Sequence, residues 1–280
     1  MLLALDVGNT ETVLGLFSNH ELAEHWRFAT AHERTVDELG LLVRALIRES
    51  GFDPNAVNDA IIGSVVPPLT PALVEMAERH LHAIVATIDG TTPLPVRLDV
   101  DEPLTVGADR IANTLAAASL YKRDTLAVDL GTATSFDCIT ADAVFLGGVI
   151  SPGLHTGAEN LVRRTAKLPR VDLDRPPSVI GRRTETALQS GIFYGAVDAI
   201  DGTVRRIKAE WQRPDALVVA TGGLATLIAP HCATVDRVEP HLTLFGLEIA
   251  HRHIAAARLR GEVTPPSARP ASGTARFRRP

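Results

Sequence analysis

Two short segments of this chain place an aspartate two residues before a glycine at the end of an apolar run. The first reads Leu3-Ala4-Leu5-Asp6-Val7-Gly8-Asn9-Thr10 and the second Leu126-Ala127-Val128-Asp129-Leu130-Gly131-Thr132-Ala133. They align without a gap, and each runs on into residues suited to a second strand. Glycine lets a backbone approach an anion and offer it N–H groups. The Asn and Thr side chains that follow add donors, and an aspartate can hold a cation or its waters. Such a pair of turns suits a nucleoside triphosphate with its metal, bound in the cleft between two related domains. For either segment alone, an ordinary hairpin turn capped by its aspartate is an equal reading.

Three further segments have side chains for chemistry. Gly107-Ala108-Asp109-Arg110 opens an alanine-rich stretch. Asp109 can serve there as a helix N-cap, or it can accept a proton from an attacking hydroxyl, with Arg110 orienting a carboxylate or phosphate. Thr184 precedes Glu185 and a long helical pattern, as a cap or as a hydroxyl aimed at substrate. Thr221-Gly222-Gly223 follows the apolar run Leu217-Val218-Val219-Ala220; it fits adenosine lying on the backbone, or a purely steric turn. His155 and His231 lack partners at metal-ligand spacing. The chain has no HExxH, GxSxG or GxxxxGK[ST] segment, which disfavours a zinc hydrolase, a serine esterase and a P-loop enzyme.

The elements that must position these groups come in two similar series. Strands are expected over Leu2–Val7, Thr12–Phe17, Leu22–Phe28, Ala60–Val66 and Ile84–Ile88. Helices are expected from Val36 to Gly51, over Pro71–Leu81 and over Ile111–Leu120. Strands then recur over Leu126–Leu130, Ser135–Thr140, Ala143–Ile150 and Ala216–Ala220, with a short one near Thr234. A long helix runs from Thr184 to about Trp211, and a last one over Leu244–Arg258. Gly191 and Gly195 sit one turn apart on the long helix and leave room for a neighbouring helix or a second subunit. The outline is α/β, a duplicated actin-like ATPase fold of the acetate and sugar kinase, heat-shock and actin type, ribonuclease H-like in each half. Residues 1–118 and 119–259 are the expected domains. Residues 260–280, rich in Pro, Ala, Ser and Arg from Thr264 onward, are expected to be a disordered tail.

Composition narrows the function classes. A net charge of −5 gives no sign of nucleic acid or a membrane surface as partner. No apolar run reaches the length of about 18 residues that a span needs. The first apolar stretch is broken by Asp6 and lacks a basic leader, so a cytoplasmic location is expected. Cys138 and Cys232 lie in no CxxC pair and read as reduced, buried thiols.

Taken together, Asp6-Val7-Gly8-Asn9-Thr10, Gly107-Ala108-Asp109-Arg110, Asp129-Leu130-Gly131-Thr132-Ala133-Thr134, Leu146-Gly147-Gly148, Thr165-Ala166-Lys167-Leu168-Pro169, Gln189-Ser190-Gly191 and Thr221-Gly222-Gly223-Leu224-Ala225 resemble the type III pantothenate kinase family in order and spacing. The resemblance runs from residue 1 to about residue 255. It implies ATP-dependent phosphorylation of pantothenate to 4'-phosphopantothenate, the first step towards coenzyme A, by a cytoplasmic homodimer that uses Mg2+ or another divalent ion and K+ or NH4+. It further implies that Asp6, Val7, Gly8, Asn9, Thr10, Glu11, Thr12 and Val13 hold the ATP phosphates. Thr132, Gly222 and Gly223 contact the nucleotide, and Asp6 faces Mg2+ indirectly. Asp129 would ligate the monovalent cation; Val100, Gly107, Ala108, Asp109, Arg110 and Thr184 would line the pantothenate site, with Asp109 as general base.

The chain departs from the family pattern at Glu11, where asparagine is common, at Val100, where tyrosine is common, and at Ser151, where alanine is common. Glu11 is expected to point to solvent, away from the phosphates. The alternative functions are a transcriptional accessory or regulatory protein on the same scaffold, and another phosphotransferase of the fold. Asp109 and Asp129 favour an enzyme over a regulator, and the GADR segment speaks against a different phosphotransferase.

Overall fold

The computed structural model describes residues 1–262. The first sheet is built from β1 (Leu2–Val7), β2 (Glu11–Ser18), β3 (Glu21–Ala29), β4 (Asp59–Ser64) and β5 (Ile84–Ile88), in the order β3-β2-β1-β4-β5. β1, β2 and β3 are antiparallel, whereas β4 and β5 run parallel to β1. β1 is apolar throughout except for Asp6, as a central strand covered on both faces requires. α1 (Val36–Glu49) and α2 (Thr70–Met76) make the crossovers. The α1 start is fixed by a reciprocal cap: the Thr35 hydroxyl accepts from the Glu38 N–H, and the Glu38 carboxylate accepts from the Thr35 N–H. Leu39, Val43 and Ile47 then fall on one buried face.

A two-residue strand, β6 (Arg97–Leu98), and α3 (Ala108–Tyr121) lead into the second sheet. That sheet contains β7 (Thr125–Leu130), β8 (Ala133–Ile139), β9 (Val144–Pro152), β10 (Leu217–Thr221) and β11 (Arg237–Val238), in the order β11-β10-β7-β8-β9, with β6 parallel to β9 at the edge. Read outward from the central strand, it repeats the first sheet strand for strand. The chain therefore has the duplicated actin-like ATPase fold. Its remaining helices are α4 (Leu154–Arg164), α5 (Thr184–Trp211), α6 (Ala225–Ile228) and α7 (Leu242–Leu259).

α7 crosses back to the first sheet. Leu244, Leu247 and Ile254 share a core with Leu2, Phe17, Ile61 and Ala112. α3 lies between the sheets: Ala108, Ala112 and Leu115 face that core, while Ala116 and Ala117 join Ala127, Ile139 and Val219 of the second half. Small residues make this possible, since a side chain at Gly246 of α7 would overlap the Ala112 backbone. A line drawn near residue 118 leaves β6 on the first side although it pairs with β9 of the second sheet, and the cores of the two sheets share α3 and α7.

Four elements differ from the sequence expectation, β6 among them, since no strand is expected over Arg97–Leu98. α4 was not anticipated. α3 starts at Ala108 with Gly107 as its N-cap, so Asp109 lies inside the first turn rather than capping it. The strand expected near Thr234 forms at Arg237–Val238 instead. Asp201 explains the shift: its carboxylate accepts from the Ala233 N–H, the Thr234 N–H and the Thr234 hydroxyl, holding that stretch as a turn. The tail expected over 260–280 lies, beyond residue 262, outside the described residues. Cys138 and Cys232 are unpaired, and burial pushes their thiols up to about 11 and about 12. Among the described residues no helix is long and apolar enough to cross a membrane.

Candidate active site between the two sheets

The turns after β1 and β7 meet across the junction of the halves, where the Thr132 hydroxyl donates to the Thr10 hydroxyl oxygen at 2.9 Å. Each turn is closed by its glycine: the Gly8 N–H donates to the Glu11 carbonyl and the Gly131 N–H to the Ala133 carbonyl, both at 3.0 Å. Thr30, at the end of β3, fastens the first turn. Its N–H donates to the Thr10 carbonyl and its hydroxyl to the Gly8 carbonyl, each at 2.8 Å. The Thr30 hydroxyl also lies 2.9 Å from that of buried Thr12.

The ungapped alignment of the two segments holds only as far as the glycine. Val7 pairs with Thr12, but Leu130 pairs with Thr134. The first turn contains Gly8, Asn9, Thr10 and Glu11; the second contains Gly131, Thr132 and Ala133. Buried Thr12 therefore corresponds to buried Thr134, and the first turn is longer by one residue. Val7 and Thr12 are buried, while Asn9 and Thr10 at the tip of the turn are exposed. Glu11 is half-exposed, with Arg27 3.4 Å away, but its carboxylate leans toward Gly223 of the other half instead of standing clear in solvent.

Asp6, Asp109 and Asp129 converge here from β1, α3 and β7. Burial, then the charges of Asp109 and Asp129, raise Asp6 well above the usual carboxylate range. Burial, with Asp109 and Asp137 adding to it, pushes Asp129 up to about 7. Asp109 is also raised by burial, against the pull of the Arg110 N–H and guanidinium. None of the three forms an ion pair among the described residues. Burial and, for Asp6 and Asp129, like charges nearby make this a place that a cation or a proton would neutralise.

Arg110, next to Asp109, is held firmly. Its Nε donates to Asp137 Oδ1 at 2.7 Å, its Nη2 lies 2.6 Å from the same oxygen, and its guanidinium carbon sits 4.8 Å above the Phe145 ring. Asp137 is fully buried, and burial outweighs Arg110 to push it up to about 6. Gly148 of β9 lies against Arg110 Nη2, and Val100 packs against Gly147 beside it. The structure thus gathers Val100, Arg110 and the start of α3 into one wall. Gly222, at φ +88°, bends the chain after β10 so closely over Asp129 that a Cβ there would collide with the carboxylate. Gly223 follows at the cleft. Thr184 is exposed in the first turn of α5; Arg183 is the N-cap and the Thr186 hydroxyl closes the turn, so Thr184 is not the cap.

Sequence reasoning missed Thr30, Asp137, Asn113 and Arg27. Asn113 lies one turn beyond Asp109 and is buried. Its Oδ1 accepts from the Thr243 hydroxyl at 2.9 Å, and its amide is near enough to Asp129 to offset part of that group's rise. A lone charged residue in a strand that otherwise carries no charge was the available signal for Asp137. Nothing in the periodicity pointed to the others.

Among the described residues no three His, Cys, Asp or Glu side chains form a ready-made metal cage. Unpaired carboxylates facing a cleft instead fit an ion that brings phosphate oxygens and waters with it, as Mg2+ does. The arrangement can hold phosphates on two glycine turns and place one carboxylate, Asp109, beside a fixed guanidinium. That is the equipment for phosphoryl transfer to an alcohol.

Comparison with known proteins bears on the identity of the alcohol. A model of the type III pantothenate kinase family matches residues 2–206. The chain is 46% identical over 253 residues to a type III pantothenate kinase of Moorella thermoacetica, covering 90% of this chain and 98% of that one. It is 44% identical over 251 residues to the one of Myxococcus xanthus, with the same coverage. Among solved structures it is similar to a conserved putative Baf family transcriptional activator from Campylobacter jejuni, with TM-score 0.57, 18% identity, and 91% and 99% of the two chains covered. It is also similar to a putative 2-dehydro-3-deoxygalactonokinase from Sinorhizobium meliloti, with TM-score 0.55, 14% identity, and 91% and 97% covered. At those identities the two structures speak for the fold alone.

Proposed function

The chain belongs to the type III pantothenate kinase family, and on that premise we propose that it transfers the γ-phosphoryl group of ATP to the primary hydroxyl of pantothenate. The observation that carries the reading is the meeting of the two glycine turns at Thr10 and Thr132, with Asp6, Asp109 and Asp129 unpaired around them. The turn N–H groups, Asn9 and Thr10 bind phosphate oxygens on one side, and Thr132 does so on the other. Gly222 and Gly223 accept the adenosine. Val100 and the start of α3 line the pantothenate pocket, where Arg110 binds its carboxylate and Thr184 reaches it from α5. Asp109 takes the proton of the hydroxyl; its raised pKa makes it a better acceptor than an ordinary aspartate. A divalent ion near Asp6 and a potassium or ammonium ion at Asp129 supply positive charge to the transferring group. The halves 1–118 and 119–259 act as two lobes, with α7 lent to the first.

We further propose a homodimer built on the second half. Gly157, Ala158 and Leu161 of α4 face Gly191, Ile192 and Gly195 of α5 across a groove of 530 Å³. Ile150, Val179 and Ile180 stand exposed in the same half. Light scattering of the purified chain tests this; a monomeric mass overturns it.

Incubation with ATP, Mg2+, K+ and pantothenate tests the activity, with 4'-phosphopantothenate as the expected product. Turnover of a sugar in place of pantothenate would reject the assignment. The regulatory alternative is rejected by any sustained turnover, since a regulator needs no proton acceptor in its cleft.

A further inference from the structure

We propose that Arg27 is a nucleotide-phosphate ligand held in reserve by Glu11, so that ATP binds by taking the guanidinium away from that carboxylate. The inference rests on the nucleotide site proposed above. Neither side chain belongs to the buried core: both are about half exposed, at 49% and 48%. β3 sets the direction of Arg27. Trp26 and Phe28 pack into the core on either side of it, so strand alternation turns Arg27 to the opposite face.

On that face, Nη1 of Arg27 lies 3.4 Å from Oε2 of Glu11. A firm charge-assisted bond is about 2.7–2.9 Å, so this pair is loose and exchangeable. The same nitrogen is 3.0 Å from the position a Cβ would take on Gly223, and Glu11 Oε2 is 3.9 Å from it. The pair thus reaches from the first turn across to the Gly222-Gly223 turn of the other half. A nucleotide lying on that turn would come within reach of the pair.

The charges around the cleft leave this work to Arg27. Asp6, Asp109, Asp129 and Glu11 are acidic. Arg110 is anchored by Asp137 and the Phe145 ring on the side of the proposed pantothenate pocket. Arg27 has only a solvated, single-contact partner to give up, and its guanidinium can meet two oxygens of a more highly charged phosphate at once. Glu11 takes the place that Ala133 holds in the second turn, since each carbonyl accepts from its turn's glycine N–H, so the carboxylate is a side-chain addition that leaves the duplicated backbone geometry undisturbed.

Equilibrium binding of Mg2+·ATP to the full chain, without pantothenate, tests the proposal. Arg27→Ala should weaken binding about tenfold or more, and Arg27→Lys should recover part of it. Glu11→Gln should tighten binding several-fold, and that gain should vanish in the Arg27→Ala background. Adenosine, which lacks phosphates, should bind all these proteins alike. An ATP affinity unmoved by Arg27→Ala overturns the proposal, as does an equal loss for adenosine. A Glu11→Gln gain that persists without Arg27 would mean simple repulsion of phosphate, and also overturns it. Failure of the underlying nucleotide site shows differently, as absence of ATP binding to the unmodified chain.

Discussion

The two halves share a strand order but not a chemistry. α3 and α7 hold the same place in their halves, each following the last parallel strand, and they pack on one another. α3 opens with Ala108, Asp109 and Arg110, whereas α7 opens with Leu242, Thr243 and Leu244. At the second helical position the first half keeps a carboxylate in the cleft, and the second half has a hydroxyl bonded to Asn113. The strand-end aspartates also differ. Asp6 lies opposite Gly63, while Asp129 lies opposite Thr221 with Gly222 folded over it. Duplication supplied two equivalent frames; substitution at a few points left a carboxylate at the helix start of one half and a crowded strand-end aspartate in the other.

The sharpest break of this asymmetry is at the helix starts. Asp109→Asn should lower kcat by roughly 10²–10⁴-fold, as expected for loss of a general base, while ATP binding is retained. Thr243→Val at the matching position of α7 should cost about 1 kcal/mol of stability, a lost hydrogen bond, with a far smaller effect on rate. Equal losses of kcat in a steady-state assay would mean that the helix pair acts as a unit and that Asp109 has no special place.

Next in size is the anchor of Arg110. Asp137→Ala leaves a largely buried guanidinium without its partner and should cost about 3 kcal/mol in denaturant unfolding. Asp137→Asn should be milder and raise KM for pantothenate more than KM for ATP. Matching rises in both would place the fault in the fold.

The glycines after the paired strands come third. Gly222→Ala puts a Cβ at φ +88° against the Asp129 carboxylate and should cost about 1–3 kcal/mol, together with any stimulation by K+. Gly131→Ala meets its neighbours only at 3.6 Å or beyond and should stay within about 0.5 kcal/mol. Equal melting temperatures for the two variants would remove the crowding argument.

The smallest effect is on stability against pH. Asp129, raised to about 7, binds its proton more tightly in the folded chain than in the unfolded one. Its contribution is therefore complete below the ordinary aspartate range and is lost as pH rises through about 7. Without nucleotide or added cations, the melting temperature should fall over that window, and Asp129→Asn should flatten the fall by a few degrees. A steeper fall in the variant would contradict the sign.

Much of this asymmetry was legible before the coordinates. Asp6, Gly8, Asp129 and Gly131 announced themselves because a charged residue and a glycine interrupt an apolar strand in the same way twice. α1 and α5 were readable from long, capped helical periodicity. α4 was not, since Leu154-His155-Thr156-Gly157 carries little apolar signal and a glycine. β6 is two residues bracketed by a proline-rich approach, and depends on β9 for its pairing. The extra residue in the first turn escaped because an ungapped match conceals a change of strand register. Asp137 and Asn113 are defined by partners far away in sequence, and periodicity is blind to those. The same blindness hid the sheet on which α7 settles.

That last placement has a consequence for how the protein is made. The opening strands leave the ribosome first, yet the surface they present to α7 stays uncovered until Leu244, Leu247 and Ile254 emerge near the end of synthesis. Until then Leu2, Phe17 and Ile61 are exposed apolar surface on a nascent chain, the kind that chaperones hold and that aggregates when left alone. A stop codon shortly before residue 242 would spare every strand and every proposed ligand, and still strand the amino-terminal half without its lid.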